Sequence, residues 1–257
     1  MLSTHSRSKE AFRKTVYLHY RKKGRHSLPW RKTKDPYRIL VSEMMLQQTQ
    51  VDRVLPKYRT FLKKFPDMHA LAEAPLGSVL KEWQGLGYNR RAKFLHDAAK
   101  EIMKTYRGRF PKTHGELVGL PGIGTYTASA IRAFAWNEPE IFIETNIRTA
   151  FIHYFFTKRH NIRDAELAAL LATTLDKKNP REWHYALMDY GAFIKKNEGN
   201  ASRRSAHHAK QEPFKGSDRE VRGAILRLLS SGSCGESGLF ALPFTQKRIR
   251  DQIKKLR

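Results

Sequence analysis

The sequence predicts an all-α protein. Apolar residues recur at helical spacing over most of the 257 residues. Capping residues, prolines and glycines fall where those periodic segments should start and stop. The only short apolar run with a strand-like look is Ile141 to Ile143.

Taken in order, Ser8 is a candidate cap for a helix carrying Phe12, Val16, His19 and Tyr20, with Gly24 as its stop. Asp35-Pro36 gives a cap and first-turn signal for a nearly all-apolar helix, Tyr37 to Leu46, that contains Glu43. Gln47-Gln48-Thr49 interrupts the run. Val51, Val54, Leu55, Tyr58, Leu62 and Phe65 then share one helical face, with a kink expected near Pro56. From Leu71 to Trp83, Pro75 should separate two short helices. The turn Gly85-Leu86-Gly87-Tyr88 precedes a helix from Asn89 to about Tyr106. Further helices are expected after Asn146, from Asp164, and from Asn179-Pro180. Residues 195–215 read as a solvated basic connector. Ser217-Asp218-Arg219-Glu220 is a capping box, and a Gly/Ser loop (230–238) should lead to a last basic helix at about 245–256. Those two helices are either part of a helix-turn-helix unit or pack back on the main body.

Composition narrows the function. Lys and Arg outnumber Asp and Glu by 49 to 24, a net charge of +25. That excess points to a polyanionic partner, most simply nucleic acid. No long basic amphipathic helix favours a membrane partner. The single cysteine, Cys234, excludes a disulfide framework and four-cysteine metal sites. The polar start, MLSTHSRSKE, resembles no leader, so the expected compartment is cytoplasmic.

The chain is organised around residues 117–146. Leu120-Pro121-Gly122-Ile123-Gly124 is a two-glycine turn between helix-compatible segments, and Thr125 opens the second helix. Gly122 and Gly124 permit positive φ and close backbone approach. Successive N–H groups at such a turn suit a phosphate.

Residues 27 to 195 together resemble the adenine DNA glycosylase (MutY) branch of the endonuclease III, helix-hairpin-helix superfamily. The strings that carry the resemblance are LPWR (28–31), SEMMLQQTQV (42–51), GLGYNRRA (85–92), GRFP (108–111), LPGIGTYTASAI (120–131), TN (145–146) and ALMDYGA (186–192). It implies a two-domain fold, a six-helix barrel (35–143) plus a domain of N- and C-terminal helices (1–34 and 144–195), with DNA held across the cleft. A basic connector (196–216) and a helical extension (217–257) complete the domain plan.

The resemblance implies a monofunctional DNA glycosylase of base excision repair, a monomer acting on adenine opposite guanine or 8-oxoguanine. Cutting an N-glycosidic bond needs an acid for the leaving base and an anion for an oxocarbenium-like sugar. Glu43 stands at the acid position, where apolar surroundings favour a protonated carboxyl. Glu144 stands where the family carries aspartate, beside Asn146, which would orient the carboxylate or a water. Tyr126 stands where lyase-competent relatives carry a nucleophilic lysine, and a tyrosine forms no Schiff base. Gln48 matches the wedge that fills the gap left by a flipped nucleotide. Thr49, Leu86 and Tyr88 match contacts to the opposite base. Gly122, Gly124 and Thr125 would hold phosphate, while Trp30, Arg31, Leu46 and Tyr185 would line the base pocket.

Tyr185 replaces the glutamine or glutamate that reads adenine's edge in that branch, so relaxed base selectivity is expected. The family's four cluster cysteines are missing after ALMDYGA, where the chain reads FIKKNEGNASRRSAHHAK. No iron–sulfur cluster and no other cofactor or metal is therefore expected. The competing readings are a thymine or uracil mismatch glycosylase on the same scaffold and a catalytically weak lesion-binding protein.

Overall fold

The computed structural model describes residues 2–208, 213–232 and 234–256. Among these, the regular structure is helical, apart from one isolated parallel bridge between Ile162 and Ser205. The all-α expectation is met, and Ile141–Ile143 forms no strand. The chain divides into two compact units. The first comprises Met1–Leu40, Lys112–Gly119 and Ile123–Ala209, and the second Val41–Pro111, Leu120–Gly122 and Lys210–Arg257.

The first unit holds α1 (Leu2–Lys23), α7 (His114–Val118), α8 (Thr125–Trp136), α9 (Thr145–Phe155), α10 (Asp164–Thr174) and α11 (Pro180–Asn197). Helix α1 is already running at Leu2, so Ser8 lies inside it rather than at its cap. Gly24 ends it as expected, its N–H bonded to the Tyr20 carbonyl. The periodic face of α1 delivers Phe12, fully buried, into an aromatic cluster with Phe151, Tyr154, Phe155 and Trp183. Burying each such ring is worth about 1.5–3 kcal/mol. Helices α9 and α11 pack along each other most extensively. Gly191 allows their approach, because a Cβ there would overlap the carbonyl of Asn146.

The second unit holds α3 (Val51–Lys64), α4 (Met68–Glu73), α5 (Leu76–Trp83) and α6 (Arg90–Thr105). The division between the units falls within α2 (Pro36–Leu46), after Leu40. Pro75 separates α4 from α5 as its missing N–H dictates. The buried faces supply Val54, Phe61, Leu71, Trp83, Leu95 and Ile102. Also in this unit are α12 (Asp218–Ser231), α13 (Glu236–Phe240) and α14 (Gln246–Lys254). These three share an apolar cluster of Val221, Ile225, Leu239 and Ile249, and α12 also packs on α5.

Two stretches expected to be irregular are so only in part. The stretch at 195–215, expected as a solvated basic connector, is largely exposed among its described residues, but it is not irregular throughout: α11 continues to Asn197, and Ala201–Arg204 is a 3-10 helix with Ser202 buried. The Arg204 guanidinium orders it, donating to the carbonyls of Ile152, Phe156 and Thr157. Residues 209–212 of that stretch lie outside the described ones. In the expected loop at 230–238, α12 runs on to Ser231 and α13 begins at Glu236, because Leu239 joins the apolar cluster. Ser233 lies outside the described residues.

Candidate active site and nucleic-acid interface

In the second unit, Glu43 sits in the C-terminal half of α2 and is buried, 6% exposed, flanked by Ser42, Met44 and Met45, themselves buried. Burying a carboxyl costs free energy unless it is hydrogen-bonded or protonated, and such groups cluster at functional sites. Just past the helix, Gln48 is exposed and adopts a left-handed backbone, φ 53°. The Gly85–Tyr88 turn is of the same kind: Gly85 has φ 89°, Gly87 71° and Tyr88 48°. Non-glycine residues in this region are uncommon and cluster at functional sites.

One side chain joins these segments. The buried Arg91 guanidinium donates to the carbonyls of Met44 (2.6 Å), Met45 (2.9 Å) and Gln47 (2.6 Å) at the end of α2. It also reaches the Thr49 hydroxyl (3.1 Å) and the carbonyls of Leu86 (3.2 Å) and Gly87 (2.9 Å). Burial lowers its pKa to about 10, leaving it charged at neutral pH. Thr49 adds a second tie, its hydroxyl to the Leu86 carbonyl at 3.2 Å. So Gln48, Thr49 and Tyr88, nearly forty residues apart in sequence, belong to one ordered region of this unit, with the Leu86 side chain buried beneath it, 4% exposed. Leu46 is half-buried at the end of α2. Gly122, with φ 73°, lies so close to Phe94 that a Cβ would overlap that ring's side chain.

In the first unit, Glu144 caps α9. One carboxylate oxygen accepts from the Ile147 N–H at 2.6 Å and the other from the Asn146 amide at 3.1 Å. Burial pushes this carboxyl above its ordinary value, opposed by the N–H groups of Asn146 and Ile147 and by the Arg148 charge. Tyr126, on the first turn of α8, is half-buried and edge-on to Phe142, with ring centroids 5.5 Å apart. A cavity of about 350 Å³ opens beside it, lined also by Ser129, Ile143 and Asp164. Gly124 caps α8 with φ −87°, so only Gly122 of the pair uses a left-handed backbone. Gly124 instead leaves open space where a Cβ would stand, and Thr125 beside it is exposed.

The expected base pocket looks different. Trp30 and Tyr185 are buried; Tyr185 stacks on Phe134, 4.4 Å between centroids and 5° from parallel. Its hydroxyl lies 3.4 Å from the Trp30 carbonyl, inside the unit. The Arg31 side chain, only 5% exposed, makes a bidentate pair with buried Asp189 at 2.6 and 2.7 Å, and its guanidinium lies over the Tyr185 ring. Burial would push Asp189 up, but Arg31 and Arg25 hold it below the usual carboxylate value. Trp30, Arg31 and Tyr185 are thus packed together in the core of this unit, with Arg31 in a buried ion pair. Arg31 and Asp189 lie 158 positions apart, and no local pattern in the sequence marks them as partners. Arg91 was equally invisible, appearing as one more cation in a basic helix.

The residues do not fit a four-cysteine cluster. The chain has one cysteine, Cys234, and the loop where the family carries its cluster ligands is tied down by Arg204 instead. Among the described residues no group of three or more His, Cys, Asp or Glu side chains is placed to hold a metal.

Comparison with known proteins accords with the geometry. Residues 41–231 match the profile of the HhH-GPD superfamily base excision DNA repair protein. The chain belongs to this superfamily, in the adenine DNA glycosylase (MutY) branch. It is 38% identical over 187 residues to the adenine DNA glycosylase of Buchnera aphidicola subsp. Baizongia pistaciae, covering 71% of this chain and 52% of that one. With the adenine DNA glycosylase of Mycolicibacterium smegmatis it shares 34% identity, over 80% of this chain and 76% of the relative. A thermostable thymine-DNA glycosylase superimposes with a TM-score of 0.66 at 25% identity, over 75% of this chain and 89% of that one. The chain spans about half the length of the first curated relatives it matches.

Proposed function

We propose that the protein is a monofunctional DNA glycosylase of base excision repair, hydrolysing the N-glycosidic bond of adenine mispaired with guanine or 8-oxoguanine in duplex DNA. The observation that carries this reading is a carboxyl, Glu43, buried in an apolar helix next to a turn holding an exposed glutamine in a left-handed backbone. Glu43 protonates the departing base, a contribution on the order of 10²–10⁴-fold for a positioned acid. Glu144 stabilises the positive charge that develops on the sugar. Asn146 holds Glu144 in place. Tyr126 offers no amine, so no Schiff base forms and the base is released by hydrolysis.

Gln48 fills the space of the extruded nucleotide, while Thr49, Leu86 and Tyr88 meet the base left behind. Gly122, Gly124 and Thr125 bind a backbone phosphate. No cofactor is assigned, the protein acts as a monomer, and its place is with the cell's DNA. The likeness to a thymine-DNA glycosylase supports a second reading, excision of thymine or uracil opposite guanine.

One panel separates the two. Duplexes with single mispairs are incubated with the protein and then with alkali, which cuts the strand wherever a base has gone. Strand breaks at adenine support the first reading, breaks at thymine or uracil the second, and none at all would overturn both. In the same assay Glu43→Gln should abolish base release and leave binding to the mispaired duplex nearly unchanged. Undiminished release by that variant would remove Glu43 from the acid role.

A further inference from the structure

The helical extension carries a residue aimed at the second unit's ordered region. Arg219, in the first turn of α12, donates to the Tyr88 hydroxyl, and its guanidinium lies over the Tyr88 ring at 5.3 Å from the centroid. Arg91 lies over the same ring at 5.4 Å. The ring of Tyr88 thus meets two guanidinium groups, one from α6 beside the turn and one from 131 residues further along. Tyr88 is also in a left-handed backbone that a bulky side chain rarely adopts. Such a conformation persists where its surroundings over-determine it. Arg91 fixes the backbone of the turn through the Leu86 and Gly87 carbonyls. It has no hold on the phenol end. Arg219 supplies that hold.

The extension is suited to the task. It has an apolar cluster of its own, and Asp218, next to Arg219, is tied to Arg248 and Lys255 of the α14 region. Arg222, one turn on, is bonded to Gln252. Helix α12 is thereby anchored at its first turn, where Arg219 stands.

We infer that Arg219 is a positioning residue for base selection: through the Tyr88 hydroxyl it sets how Tyr88 meets the base opposite the excised one. This rests on the proposed function in one respect, that the Gly85–Tyr88 turn faces DNA. A phenol held at both ends presents one edge to the duplex. Released at the hydroxyl, it rotates about its side-chain bonds and accepts more than one opposite base. Selectivity follows from that fixed edge, because differences between bases are read by groups that cannot adjust.

The test uses the full chain. Single-turnover base release is measured for adenine opposite guanine, 8-oxoguanine, cytosine and thymine, with affinity for each duplex measured in parallel. The proteins compared are the wild type, Arg219→Gln, Arg219→Lys, Tyr88→Phe and the double variant Arg219→Gln/Tyr88→Phe. Arg219→Gln should reduce the ratio between the best and worst opposite base by about tenfold, the size expected for losing one charge-assisted hydrogen bond. Tyr88→Phe should do the same, and the double variant should lose little more than either, since both remove one interaction. Arg219→Lys, which keeps a charged donor, should recover part of the ratio.

A uniform fall on all four duplexes, or additive losses in the double variant, would show a merely structural contact and overturn the inference. Ratios unchanged in Arg219→Gln would do so as well. If the wild type releases no base, the proposed function falls, and the clamp is then read in affinity alone. Discrimination between mispaired and matched duplex should weaken in Arg219→Gln, and equal discrimination would overturn the inference independently.

Discussion

At Glu144, in the proposed mechanism, one methylene decides how the carboxylate reaches the developing sugar cation. Aspartate is the family's residue here, and glutamate keeps the charge while lengthening the arm. Both oxygens are already engaged, by the Ile147 N–H and the Asn146 amide, so the longer side chain folds back on its own helix. A misplacement of about 1 Å in a catalytic group can cost on the order of 10²-fold. Glu144→Asp should therefore keep or raise the rate of base release, and a large loss would show a pocket built around glutamate. The same carboxyl sets a pH limit. Burial raises its pKa, and the proposed role needs the ionised form. Release should fall on the acid side at a higher pH than an ordinary carboxylate would dictate, a limb visible in a single-turnover pH profile. The stability sign is opposite: the buried proton favours the fold below the ordinary value of 4.5, and that contribution is lost as pH rises through the raised one. Glu43 was singled out because it lies inside the contiguous string SEMMLQQTQV, and Glu144 because it directly precedes the TN pair that opens α9. The surroundings of Tyr185 were not legible, because its neighbours in space, Trp30 and Phe134, lie far away in the chain.

Helices set the precision of these residues, and the closest joint is where α11 crosses the start of α9. Gly191 has no side chain, and the Asn146 carbonyl occupies the space one would need. Gly191→Ala must push α11 away from the residues that carry Glu144 and Asn146. Overpacking of this kind costs about 1–3 kcal/mol, so Tm should fall, and base release should fall further than duplex affinity does. A variant as stable and as active as the wild type would show that the joint has slack. The sequence placed most of these helices within a residue or two, since caps, prolines and apolar spacing act locally. It did not disclose what holds the loops between them. Arg91 and Arg204 each gather several carbonyls from segments some forty to fifty residues away. A basic residue destined for such a hub looks the same in sequence as one destined for solvent.

Across the whole molecule, cations exceed anions by 25 even after the ion pairs and carbonyl hubs are made. Some of that charge is spent internally: Arg31 on Asp189, Arg148 on Asp164, Arg132 on Glu140. Internal pairing balances one charge with another and leaves the net excess untouched. The excess must be met by mobile counterions or by a polyanion, and duplex DNA offers its own condensed cations for release. If roughly six phosphates are neutralised, affinity for a duplex should fall by about 10³-fold between 50 and 200 mM salt. The slope should be nearly the same for matched and mispaired duplexes, because phosphate contacts position a protein without reading sequence. Mispair preference should then appear as a vertical offset between two parallel lines of log affinity against log salt. A flat dependence on salt would remove DNA as the partner that the charge implies, and lines of different slope would place part of the recognition in the phosphate contacts themselves.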